Sequence, residues 1–198
     1  MRSVAELVGV TTPSIYRHFK DKEDLMDAVC EEVFETLAAA LEQAAASAKS
    51  PLERLFAQGR AYLDFALANP EEYRIVFMTG GFHPKNTDDF LTDRCFSQLV
   101  GTIVACTEAG IFPDSPDGPA GLGLEFFATA HGFASLLVCK PWLPWGGTSA
   151  FLERLMRMCA GGAALAERLE GQPEPVVAER LAALAGNGQK PGPRGAQS

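Results

Sequence analysis

The stretch SVAELVGVTTPSIYRHFKDK, from Ser3 to Lys22, restricts the fold of this chain more than any other part of it. It spells two short helices joined by a tight turn. Ser3 and Glu6 form a capping box, in which a hydroxyl and a carboxylate satisfy free amides at a helix start. Val4, Leu7 and Val8 then share one apolar face, and Gly9 ends the helix. Thr12 before Pro13 predicts an N-cap followed by proline at the first helical position, with a second helix running to Phe19. Ile15 and Phe19 are expected to face inward, because residues at that spacing lie on one side of a helix.

This second helix leaves Thr12, Ser14, Tyr16, Arg17 and His18 on its outer side. Hydroxyls, a phenol, a guanidinium and an imidazole suit the base edges and phosphate oxygens of a DNA major groove about 12 Å wide. Asp21 is expected to cap a long third helix whose first turn carries Lys22. A cation there opposes the helix dipole, and a phosphate partner gives it a reason. The bland alternative is a packing motif whose Tyr16-Arg17-His18 edge is simply solvated.

At these residues the run VAELVGVTTPSIYRHFKDKEDLMDAV resembles the helix-turn-helix of the TetR family of transcriptional repressors, through Ala5, Gly9, Val10, Tyr16, His18, Phe19, Lys22 and Leu25. The resemblance implies an all-α fold, with a DNA-binding head and a helical body that holds ligand and dimerises. It makes Arg2, Thr11, Thr12, Ser14, Tyr16, Arg17, His18 and Lys22 the candidate DNA contacts. It also implies a helix ahead of the motif, of at least the roughly 11–12 residues of an average helix, whereas Met1 stands at the start of the second. Lacking that cover for Val4, Leu7, Ile15 and Phe19, the head is expected to be poorly stable. A chain extended upstream by one helix is expected to melt higher in its head.

The net charge of −8 over 198 residues argues at first against a nucleic-acid partner. Residues 1–22, however, carry Arg2, Arg17, Lys20 and Lys22 against Glu6 and Asp21, and local sign decides at screening lengths of about 10 Å. Apolar residues at 47% and charged residues at 21% fit a globular chain. The 5 cysteines, at 30, 95, 106, 139 and 159, lie scattered in apolar stretches and read as reduced core residues of a cytoplasmic protein. Neither they nor His18, His83 and His131 cluster, so no metal is expected. The charged, capped start predicts no signal peptide. Ala120 to Cys139 is apolar enough to raise a membrane span, but Glu125, His131 and its glycines favour a buried central helix and no membrane partner.

Three- and four-residue spacings predict helices over Asp24–Ala48, Pro51 to Asn69, Glu71–Met78, Asp88–Ala109, Gly121–Cys139, Ala150–Glu170 (capped by Thr148 or Ser149) and Pro175–Ala185. Thr79–Lys85 reads as a loop and Pro113–Pro119 as a linker. The chain therefore divides into a head at 1–46, a body at 47–185 and a disordered tail at 186–198. FALANPEEYRIVF also resembles the end of the fifth and the short sixth helix of the same family. AHGFASLL resembles the His-Gly signature of one of its C-terminal domain types.

Aromatic residues crowd the middle of the body and can serve simply as core. The family resemblance implies instead an apolar pocket for a hydrophobic small-molecule effector, with Gln58, Tyr62, Phe77, Phe96, Val100, Phe127 and His131 as candidates. His131 suits a satisfied core position as well as a ligand contact. The resemblance also implies a homodimer through the last two long helices, with Gly132, Ser135, Leu152, Leu155, Cys159 and Gly162 at the interface. Two recognition helices about 34–36 Å apart would then read a near-palindromic double-stranded operator. The expected function is a repressor released from its operator when ligand tilts the long connecting helix. The alternative is a helical dimer that binds ligand but not DNA, its head being incomplete. The sequence holds no P-loop, Gly-x-Ser-x-Gly or His-Glu-x-x-His motif, so neither enzyme activity nor a cofactor is expected.

Overall fold

The structure, a computed structural model, describes residues 9, 11–78, 87–169 and 171–186. These form helices α1 (Thr12–Tyr16), α2 (Lys22–Ala46), α3 (Pro51–Ala68), α4 (Pro70–Met78), α5 (Thr87–Thr92), α6 (Arg94–Glu108), α7 (Gly118–Cys139), α8 (Thr148–Leu169) and α9 (Glu174–Gly186). No strand occurs among the described residues, and the fold is all-α as expected. The predicted first head helix, the Thr79–Lys85 loop and the tail beyond Gly186 lie outside them.

Capping residues set the helix starts. Asp21 Oδ1 accepts from the Asp24 amide at 2.9 Å, and Asp24 Oδ2 reaches back to the Lys20 amide at 2.8 Å. The same reciprocal device opens α3, where Ser50 Oγ accepts from Glu53 N at 3.1 Å and Glu53 Oε2 from Lys49 N at 2.9 Å. Each pair satisfies two amides that a helix start leaves free.

Several boundaries differ from the sequence reading; α2 spans Lys22–Ala46 rather than Asp24–Ala48, and Thr148, expected as a cap, already lies in α8. Thr11, not Thr12, occupies the N-cap of α1, which ends at Tyr16; bonds from His18 N and Phe19 N to the Ile15 carbonyl, each 3.0 Å, carry the turn on. Asp88–Ala109 is two helices rather than one. Asp93 Oδ1 accepts from the amides of Cys95 at 2.9 Å and Phe96 at 3.1 Å, starting α6 afresh. Gly110, at φ +69°, closes it in the left-handed conformation glycine tolerates. α7 begins at Gly118, ahead of the expected start, and Gly186 belongs to α9 rather than to a tail.

α3 is the hub, packing against α2, α4, α6, α7 and α8. Leu55, Gln58, Gly59, Tyr62, Leu63, Phe65 and Ala66 are all buried on it. At Gly59 a Cβ would lie 2.9 Å from Met156 Cε, so the glycine lets α8 approach closely. α7 meets the length and apolarity of a membrane span, yet its Leu122, Phe126, Phe133, Ala134 and Leu137 are buried among the other helices.

A polar link fastens α3, α4 and α7 together. Tyr62 and Tyr73 hydroxyls lie 3.0 and 2.9 Å from His131 Nδ1, and Ser135 Oγ lies 3.3 Å from Nε2 and 3.1 Å from the Tyr73 hydroxyl. Burial lowers the His131 pKa and raises those of both tyrosines, so the imidazole and both phenols are neutral and share hydrogen bonds at Nδ1. Arg74 adds a 2.9 Å bond to the Val138 carbonyl.

Truncating Leu55, which is fully buried on the hub, to alanine should cost about 2–5 kcal/mol in urea unfolding. A loss near zero would contradict the hub assignment. Because the folded His131 pKa lies below its unfolded value, the unfolded chain takes up the proton first as pH falls. Stability should therefore decline as pH drops through about 6.5 and level off below the folded pKa. His131→Gln should flatten that slope, as followed by melting between about pH 7.5 and 5.

Candidate functional site

In the head, Ile15 is buried and Phe19 half-buried, which turns the opposite side of the turn outward. Tyr16, Arg17 and His18 are exposed, and Arg17 Nη2 lies 3.4 Å from Ser14 Oγ. Thr11 is exposed, Thr12 and Ser14 are half-buried, and Lys22 stands exposed at the start of α2. Arg2 lies outside the described residues. Over residues 11–22 the charged side chains are Arg17, Lys20 and Lys22 against Asp21, a locally cationic face on an acidic chain.

The body encloses a cavity of about 70 Å³. Of the candidates for it, Gln58, Tyr62, Phe77, Phe96 and Phe127 line the wall. Val100 does not; it sits on α6 facing Gly123, where a Cβ would come within 3.4 Å of it. His131 stands behind the wall, stacked on Phe127 at 5.2 Å between centroids and held by the tyrosines. It is a satisfied structural histidine rather than a lining residue. Gln58 is the opposite case, 6% exposed with an Oε1 that has no hydrogen-bond partner.

Sequence reasoning missed most of the wall. Phe34, Leu37 and Leu41 come from α2, Phe90 from α5, Asp93, Cys95 and Leu99 from the start of α6 and Met156 from α8. The α2 stripe was visible as periodicity, but nothing in it named its partner. The same α2–α6 seam carries polar bonds: Arg94 reaches Glu35 at 2.6 Å and Glu42 at 2.8 Å, and Gln98 Nε2 donates to the Ala38 carbonyl at 3.2 Å. Cys95 Sγ lies 3.6 Å from the Phe34 carbonyl, and burial pushes its thiol pKa up.

The candidate interface residues divide. Leu152 is buried in the chain's own core and Ser135 is engaged by Tyr73, so both face inward rather than toward a partner. Leu155 and Cys159 are half-buried against the core. Gly162 is exposed, and a Cβ on it or on Gly132 would meet nothing within 4 Å. The outward apolar side chains of these helices are Leu124 and Leu136 on α7 and Met158 on α8.

This architecture has relatives. The profile of the bacterial regulatory proteins of the tetR family matches residues 1–29, and that of a tetracyclin repressor-like C-terminal domain matches residues 55–159. The HTH-type transcriptional activator FasR of Mycolicibacterium smegmatis is 28% identical over 110 residues, 55% of this chain and 46% of that relative, so the match spans under half its length. A protein of unknown function from Rhodococcus sp. RHA1 superposes with a TM-score of 0.67 at 25% identity, over 82% of this chain and 84% of the other. A bacterial regulatory protein of the tetR family from Rhodococcus RHA1 superposes at 0.62 with 17% identity, over 82% and 85%. With the two profiles covering head and body, the chain belongs to the TetR family of transcriptional regulators.

Proposed function

We propose that the chain is a homodimeric DNA-binding regulator whose grip on a near-palindromic operator is released by a small apolar effector. The observation that carries this reading is that α2 serves two sites. Its N-terminus follows directly on the Thr12–Tyr16 helix, and its Phe34, Leu37 and Leu41 form one wall of the cavity. A ligand that shifts this wall tilts the recognition helix at the other end. Two such helices must sit about 34–36 Å apart to enter successive major grooves, so a small tilt spoils the match. A coupling of roughly 1–3 kcal/mol would weaken operator binding about 5–150-fold. Pairing of two copies through the outward face of α7 and α8 would set that spacing.

Operator occupancy represses where the site overlaps a promoter. The resemblance to a relative named as an activator favours a second reading, in which the bound dimer stands upstream and assists transcription. The position of the protected site relative to the promoter separates the two.

A footprint on the DNA flanking the chain's own gene should show a protected near-palindrome that Tyr16→Ala abolishes. No protection at low salt would overturn the reading. Arg17→Ala should cost about 1–3 kcal/mol for the cognate site only if Arg17 reads a base, and weaken all sequences alike if it contacts phosphate. Arg94→Ala, by loosening the α6 hold on α2, should leave ligand-free operator binding in place but reduce the effector-induced drop in affinity. An unchanged drop would exclude this route of coupling.

A further inference from the structure

The polar groups around the cavity are unequally provided for. Its wall is built almost wholly from aromatic and aliphatic side chains, and among the described residues no lysine, arginine or histidine lines it. Gln58, Asp93 and the Tyr62 hydroxyl are the strongly polar groups there. Tyr62 is already bonded to His131 and Tyr73. Gln58 is buried with an amide oxygen that no protein group satisfies, and a buried polar group without a partner is costly. A ligand group that pairs with this amide removes that cost.

Among the described residues, the cationic and imidazole groups beside the cavity already have partners. The Arg94 guanidinium, next in sequence to the wall, is drawn outward to Glu35 and Glu42. At the start of α6 the Cys95 and Phe96 amides are taken by Asp93 Oδ1. His131 stays neutral, with Nδ1 facing the tyrosines and Nε2 facing Ser135. What remains is the carboxylate of Asp93 itself, which places negative charge on the wall.

We propose that the cavity selects for uncharged ligands: a ring-sized apolar molecule bearing one neutral hydrogen-bonding group, a carboxamide or hydroxyl, that pairs with Gln58, while Asp93 refuses a carboxylate in the same place. This rests on the reading of the cavity as the effector site. The small volume limits the part of the ligand held inside to about one ring and a short substituent. Met156, flexible and lying against Gly59, is the side chain best able to yield to a larger body.

Four probes of one shape test it: phenylacetamide, 2-phenylethanol, phenylacetate and ethylbenzene, titrated against the full chain by saturation-transfer NMR. Phenylacetamide and 2-phenylethanol should bind at least about tenfold more tightly than phenylacetate. Gln58→Leu should erase the advantage of the amide over ethylbenzene while ethylbenzene still binds. Asp93→Asn, which keeps an acceptor for the Cys95 and Phe96 amides, should raise phenylacetate affinity about tenfold. Phenylacetate binding as tightly as phenylacetamide to the unaltered chain would overturn the selectivity.

Filling the cavity separates this failure from that of the underlying reading. Ala130→Phe, with Leu99→Trp as a second filler, should abolish binding of all four probes, with melting curves confirming the fold. If the probes bind the filled variants as well as the original, or if none binds the original, the cavity is not the effector site and the selectivity falls with it.

Discussion

Burial of one helix face against five neighbours governs this molecule. α3 keeps Glu53, Arg60 and Asp64 in solvent, but each residue on its inner face has to be apolar, small or hydrogen-bonded inside the protein. Leu55, Leu63, Phe65 and Ala66 meet the demand by being apolar, and Gly59 by being small enough to admit Met156. Tyr62 meets it through His131 and Tyr73. Gln58 leaves its amide oxygen unmet, one turn before Tyr62 and on the cavity wall. A buried amide without a protein partner on the cavity wall is costly, and a group paired with it there would offset that cost. In the proposed reading, stability and ligand recognition meet on the same helix.

The hub also explains how a change in the cavity can leave the body. α2 lies along both α3 and α6, supplies Phe34, Leu37 and Leu41 to the cavity, and ends beside the exposed Tyr16-Arg17-His18 edge. Helices are stiff along their axis, and packed interfaces shift between discrete arrangements rather than deforming continuously. The α6 start is the natural lever. Asp93 fixes its first turn while lining the cavity, and Arg94 and Gln98 hold α2 just outside. In the proposed mechanism, motion of the first turn of α6 would be passed to α2 by these bonds and packing together.

Much of this was legible in the sequence because helix ends announce themselves. Asp21, Ser50 with Pro51, Asn69 with Pro70, and Gly110 all mark boundaries that the structure keeps. Asp93 escaped notice because an aspartate inside an apolar three-four rhythm looks like any solvated position; only its carboxylate reaching two amides reveals a new start. The cavity is legible only in part. Residues on α3, α4, α6 and α7 were singled out for being aromatic or polar in an apolar body, but the contribution of α2 depends on which stripe meets which, and periodicity does not encode the partner. Val100 was misplaced for the same reason, a small rotation of α6 sending it to Gly123 instead of the cavity.

The hardest distinction was between the two faces of α7. An apolar rhythm locates a buried side when the other side is polar, and α7 offers no such contrast, with leucines, phenylalanines and alanines distributed around it. Ser135, an interface candidate from the sequence, faces inward, where it meets Tyr73 and His131. Leu124 and Leu136 are the outward ones, and Met158 of α8 is exposed as well. A helix that is apolar all round is stable only if covered on both sides. The protein's own core covers one side of α7. The proposed pairing with a second copy gives the other its cover, and with it the fixed spacing of two heads that reading a palindrome requires.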